Sequence, residues 1–213
     1  MLACQRRRTY FAVNAARMSH RSVIFDSHCL HRTKQERRIS SLRLPHIAGI
    51  LYAACVKYEH LVQINDPLNP LIDPLTRDQL WRGLMRYIES PVAFVQGLDS
   101  GTVTARRENQ LQRELQFGRL RVRDEVTLVP MQSIHVATCA SAEIPAGSLT
   151  ITIEDHGTEL LFVRFLYQTF PMGHPPVGSE YREVVKEAYK HAGIDIIRRI
   201  REYAGEGRLD RMH

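Results

Sequence analysis

The chain has 213 residues, 44% of them hydrophobic and 24% charged, a balance that suits one globular domain with an extension. No apolar run reaches the ~18 residues a membrane helix needs, and the apolar content excludes a fully disordered chain. Four cysteines without close pairing exclude a disulfide scaffold and a zinc ribbon.

The net charge of +6 divides unevenly. Residues 1–55 carry 10 Lys+Arg against 2 Asp+Glu, whereas residues 56–213 carry 19 against 21. The basic character therefore belongs to the first quarter, which includes Arg6-Arg7-Arg8, Arg37-Arg38 and Cys4, Cys29 and Cys55. This segment has no sustained period of 2 or 3.6 and buries little, so it is expected to be a disordered basic extension. Its composition fits a transit peptide. Ile47 to Cys55 resembles a signal h-region ending in a lipoprotein box, although Tyr52 stands where Leu is usual. A nucleic-acid arm has no aromatic interleaving or motif behind it. The favoured reading is a misplaced start, because Val56 opens a clean strand and valine can translate an alternative GTG start. The expected division is an extension over 1–55, the folded domain over 56–207 and a tail over 208–213.

Residues 56–65 alternate, with Tyr58, His60, Val62 and Ile64 on one face, and predict a half-buried strand. Asn65 to Pro74 is a loop fixed by three prolines. Thr76-Arg77-Asp78-Gln79 is a capping box opening a helix with Leu80, Trp81, Leu84 and Ile88 on its apolar side. Ser90-Pro91 opens a second short helix that ends at Gly97. Turn signals then space six strands, over 101–107, 111–117, 120–129, 133–140, 148–154 and 159–169. A long helix over 179–204 carries Tyr181, Val184, Val185, Ala188, Tyr189, Ala192, Ile196, Ile200 and Tyr203 at steps of three or four. Gly205 and Gly207 stop it. The predicted fold class is α+β: a seven-stranded, antiparallel, curved sheet wrapped on the long C-terminal helix, with two short helices between strands 1 and 2. Such a sheet must cover its apolar face, and this helix is the large cover available. A bent sheet closed by one helix tends to leave a cavity between them.

Polar residues on the inward faces are the candidates for function. Gly118-Arg119 suits a two-residue type II′ turn, which places Arg113 opposite Asp124 on the covered face and Glu114 opposite Arg123 on the wet face. The buried pair either fixes strand register or holds a polar group of a ligand, with Asp124 orienting Arg113. His60 lies on the apolar parity of strand 1, as a hydrogen-bonded core residue or an acid–base group. Tyr167, Tyr189 and Trp81 can line a cavity or simply fill the core. The cavity candidates are thus His60, Trp81, Arg113, Asp124, Tyr167 and Tyr189. Nucleophile-elbow, phosphate-loop and dinucleotide motifs are absent. His156, His174 and Cys139 have no partner in sequence reach, so neither a metal nor a cofactor is expected.

Several blocks resemble a known family: Val56 to Pro67, Gln79 to Leu84, Arg113 to Gly118, Ser148 to Ile153 and Ala188-Tyr189 to Glu202. Together they are similar to the AtaL-like family of START/SRPBCC domains, in the helix-grip superfamily of the birch-pollen allergen, over about residues 56–207. The family is largely uncharacterised and offers no catalytic set to carry over. Its members begin near the residue matching Val56. Its superfamily contains lipid carriers, hormone and alkaloid binders, and aromatic polyketide cyclases. The expected function is binding of a small, mostly hydrophobic or aromatic molecule in an internal cavity, in a cytoplasmic protein without a nucleic-acid partner. A cyclase or aromatase is the alternative, with Arg113 stabilising an oxyanion and His60, Asp124 or Tyr189 carrying protons. A stress-related, client-binding protein that uses its outer surface is the third reading.

Overall fold

The computed structural model describes residues 56–69, 71–156, 160–170 and 179–210, for 179–181 the backbone alone. The expectations for residues 1–55, for His174 and for the side chain of Tyr181 lie outside these residues. The elements are β1 (Val56–Gln63), α1 (Arg77–Glu89), β2 (Ser100–Arg107), β3 (Gln110–Phe117), β4 (Leu120–Val129), β5 (Ser133–Thr138), β6 (Gly147–Asp155), β7 (Leu161–Thr169) and α2 (Ser179–Gly205). The second of the two short helices is a single 3-10 turn, Pro91–Ala93. It has no room to grow, because Gly97 turns the chain with φ +80° into β2.

The seven strands form one antiparallel sheet in the order β1-β7-β6-β5-β4-β3-β2. Alternation decides which side is buried: Ile134 and Val136, Ile151 and Ile153, and Val163, Phe165 and Tyr167 face inward. The β3–β4 hairpin turns at Gly118, whose φ of +58° is open to a residue without a Cβ. Its register pairs Phe117 with Leu120, Leu115 with Val122 and Arg113 with Asp124, as the sequence predicts. On the wet face Glu114 meets Arg121 at 3.2 Å and Arg123 at 3.4 Å, exposed contacts worth at most about 1 kcal/mol.

Two helices cover the inner face. In α1 the Thr76 hydroxyl accepts from Gln79 N and the Gln79 side chain accepts from Thr76 N, which completes the capping box. Its far end is closed from the sheet. Arg113 donates to the Ile88 carbonyl at 3.1 Å and reaches the Tyr87 carbonyl at 3.5 Å, so a cation meets carbonyls that the last turn leaves unpaired. The same guanidinium donates through Nε to Asp124 Oδ2 at 2.9 Å, and Thr138 donates to Asp124 Oδ1 at 2.8 Å. Arg113 and Asp124 are 5% and 3% exposed. The pair therefore fixes strand register and docks α1 at once.

The long helix packs unevenly. Gly193, Ile196, Ile197, Ile200 and Tyr203 are buried, while Val184 is 52% exposed. The expected apolar stripe is thus sealed over its C-terminal half and only partly covered before Gly193. The helix ends in a Schellman motif: Gly207, at φ +69°, donates to Ala204 and Arg208 N donates to Tyr203. The expected tail begins docked, with Leu209 buried and its carbonyl accepting from Arg82 Nε at 2.6 Å. Against α1, Gly83 admits Ile200: a Cβ at 83 would lie 2.5 Å from Ile200 Cγ2.

Two stability predictions follow from this packing. Gly83→Ala gains about 1 kcal/mol of helix propensity but overpacks the α1–α2 contact at a cost of roughly 1–3 kcal/mol. The net expected outcome in chemical denaturation is a loss, partly recovered in the double variant Gly83→Ala/Ile200→Val. Asp124→Ala strands the buried Arg113 and is expected to cost about 3–5 kcal/mol. A Gly83 variant as stable as the parent, or an Asp124 variant within about 1 kcal/mol of it, contradicts the respective account.

Candidate functional site

The sheet edge formed by β1 and β7 collects aromatic side chains under the loosely covered half of α2. Alternation puts Tyr58 and His60 of β1 inward beside Tyr167 and Phe165 of β7, and the register aligns Tyr58 with Tyr167 and His60 with Phe165. Tyr189 descends from α2 and stacks on Tyr167 with ring centroids 4.3 Å apart and planes 6° apart. His60 stacks on Phe165 at 5.1 Å and 11°, and lies nearly parallel to Tyr167, at 6.2 Å and 4°. Tyr58 joins the group 5.5 Å from His60 and 6.5 Å from Tyr189. Offset stacking favours such near-parallel rings.

Close approach of the helix makes this possible. A Cβ at Gly193 would lie 2.5 Å from His60 Nε2 and 2.7 Å from Cε1. The missing side chain leaves the imidazole its place against α2.

The cluster is apolar in its walls but not in its chemistry. Among the described residues, the shielded side-chain atoms that make no hydrogen bond are His60 Nδ1, His60 Nε2, the Tyr167 hydroxyl and, outside this cluster, Arg199 Nε. Buried polar groups are ordinarily paired, and each one left over requires an explanation. Tyr189, by contrast, shares a 2.5 Å hydrogen bond with the Thr169 hydroxyl. Burial holds the His60 imidazolium unfavourable and pulls its pKa below the ordinary value, with nearby Lys190 adding to the effect. Burial pushes the Tyr167 phenol well up, and the phenols of Tyr87, Tyr189 and Tyr58 add to the shift. Both groups are therefore neutral near pH 7: an imidazole with one donor and one acceptor, and a phenol with one hydroxyl.

The six expected cavity residues fall in three places. His60, Tyr167 and Tyr189 come together in this cluster. Arg113 and Asp124 lie in the α1 clamp, where the guanidinium also sits over the Tyr87 ring, 5.6 Å from its centroid. Trp81 is half-buried on α1 against the core. Tyr58, Phe165 and Gly193 belong to the cluster and were not among the expected residues. Tyr58 shares the alternating face with His60 and could have been found from that. Gly193 leaves no such trace, because its role appears only when the helix meets the sheet. No group of three His, Cys, Asp or Glu suited to a metal occurs among the described residues. None of the described helices is long and apolar enough to cross a membrane.

No curated protein matches the chain in sequence. Among solved structures it is similar to StfQ, the di-domain ARO/CYC from the steffimycin biosynthetic pathway, with a TM-score of 0.58 and 10% identity, over 75% of this chain and 54% of StfQ. The chain thus spans about half the length of that protein. It is similar to the Zhui aromatase/cyclase from Streptomyces sp. R1128, with a TM-score of 0.52 and 13% identity, over 71% of this chain and 94% of that one. Ara h 8.0201 aligns with a TM-score of 0.51 and 11% identity, over 70% and 97% respectively. At such identities these structures establish the fold, which is the helix-grip fold expected from the sequence. The sequence profile of acetylaranotin biosynthesis cluster protein L, AtaL, matches residues 62–207, more than half of the chain, and the protein accordingly belongs to the AtaL family.

Proposed function

We propose that the protein binds a small, mostly hydrophobic molecule between the β1–β7 edge of the sheet and the N-terminal half of α2. One observation carries this reading. Two neutral, solvent-shielded polar groups, on His60 and Tyr167, stand unpaired inside an aromatic wall. Ligand sites are built this way, from apolar surface with a few convergent polar groups. Such groups cost stability when empty and recover it when a guest supplies the missing partners. Solved structures of the same fold that are aromatase/cyclases by description support a role on a small hydrophobic molecule. The site is assigned to the folded domain over 56–207, and the ligand is its expected partner.

A cyclase-type reaction is the second reading, favoured by the neutral imidazole beside a phenol. His60 would accept a proton from a carbon next to a carbonyl, and Tyr167 would donate to the developing enolate oxygen. Arg113 is less suited to that role, since its donors are directed to Asp124 and the Ile88 carbonyl. Turnover of a poly-ketone substrate by the parent, lost in His60→Leu, distinguishes catalysis from binding alone.

The binding reading is tested by titration with Nile red, a neutral hydrophobic dye. Saturable binding with one dye per chain is expected, weakened at least tenfold in Gly193→Phe, whose side chain cannot fit against His60 and must displace the imidazole and the stacked rings. Where that variant fails to fold, His60→Leu serves, with a loss of several-fold expected. The absence of saturable binding, or identical binding by folded variants, removes the proposal.

The state of His60 also sets a pH dependence. Its pKa is lowered in the fold, so its contribution to stability is full above the unfolded value of about 6.5 and is lost as pH falls through the folded pKa. Stability measured by denaturation is therefore expected to decline more steeply between pH 7 and 5 in the parent than in His60→Phe. Parallel curves for the two proteins contradict a neutral His60 with shielded ring nitrogens.

A further inference from the structure

We propose that this site selects a neutral, planar hydroxyarene, a phenol- or naphthol-like ring, and discriminates against the carboxylate of the same ring. The inference rests on the binding function proposed above and adds the chemical class of the ligand.

Hydrogen-bond capacity comes first. The unpaired set is one imidazole, with a donor and an acceptor, and one phenol, with a donor and an acceptor. A guest hydroxyl both donates and accepts, so it can engage one group of each kind. A carboxylate only accepts, and it would leave the imidazole acceptor dry and unpaired.

Charge comes second. Arg113 and Asp124 are the buried charged residues among those described, and they neutralise each other at 2.9 Å. On the face of α2 nearest the cluster, Lys186 pairs with Glu183 at 2.7 Å and Lys190 lies 3.9 Å from Glu187. An anion entering the aromatic cluster would give up its hydration, whereas these lysines stay part-exposed, with 39% and 48% of their side chains accessible.

Shape comes third. His60 and Tyr167 are within 4° of parallel, Tyr167 and Tyr189 within 6°, and His60 and Phe165 within 11°. A flat ring can extend such a set face to face, whereas a puckered or branched molecule meets it edge on.

The test compares naphthalene, 2-naphthol and 2-naphthoate as ligands of the full chain, by calorimetry at pH 7.5. 2-Naphthol is expected to bind at least about tenfold more tightly than 2-naphthoate. Tyr167→Phe, which removes one oxygen and keeps the ring, should weaken 2-naphthol by roughly three- to tenfold and change naphthalene by less than twofold. Naphthoate binding as tightly as naphthol overturns the inference, and so does an equal effect of Tyr167→Phe on naphthol and naphthalene. In either case naphthalene binding leaves the hydrophobic-ligand function standing. Failure of all three probes to bind overturns both.

Discussion

The distance of closest approach between α2 and the rest of the protein governs this structure. Two glycines set it, one on each side of the contact. Gly83 lets α2 press Ile200 into α1, and Gly193 lets it press against His60 of β1. Beyond Gly193 toward the C-terminus the helix is sealed by Ile196, Ile197 and Ile200 and closed by its Schellman turn. Toward the N-terminus it is only partly covered, and the aromatic cluster lies beneath that stretch. One helix is too narrow to seal the full width of a seven-stranded sheet. Its tight end supplies the stability, and its loose end leaves polar groups inside without partners.

The two polar islands on the inner face have opposite characters. Around Arg113 and Asp124, almost every donor and acceptor is engaged: with the other charge, with Thr138, and with the last carbonyls of α1. That completeness marks a structural joint, where a cation also complements the negative end of a helix. Around His60 and Tyr167 the side chains are neutral and their hydrogen-bonding atoms idle. A protein that carried such atoms without use would be the less stable for it. The contrast separates a place that holds the fold from the one proposed to bind a ligand.

Local rules were enough to read much of this in the sequence. The β3–β4 hairpin was legible because a Gly-led turn fixes the register of both flanking strands, so the Arg113–Asp124 and Glu114–Arg123 pairs followed by counting. Thr76 and Gln79 announced the start of α1 in the same way. The site was legible only in part. Alternation put His60 and Tyr58 on one face, but nothing local says that the first strand pairs with the last, which brings Tyr167 and Phe165 beside them. The role of Arg113 was divided between register and ligand, since the sequence does not reveal that the end of α1 lies above it. The period of α2 marked an apolar stripe along its whole length. Burial of that stripe depends on the helix's tilt against the sheet, which periodicity does not encode, so Val184 was placed inside and lies outside.

The contact between Gly193 and His60 ties two positions 133 residues apart in the chain into a single unit of inheritance. A descendant that acquires any side chain at 193 must move or shrink the ring at 60, and one that loses the imidazole no longer requires a bare backbone in the helix. Divergence within the lineage would therefore leave paired rather than solitary changes at these two places.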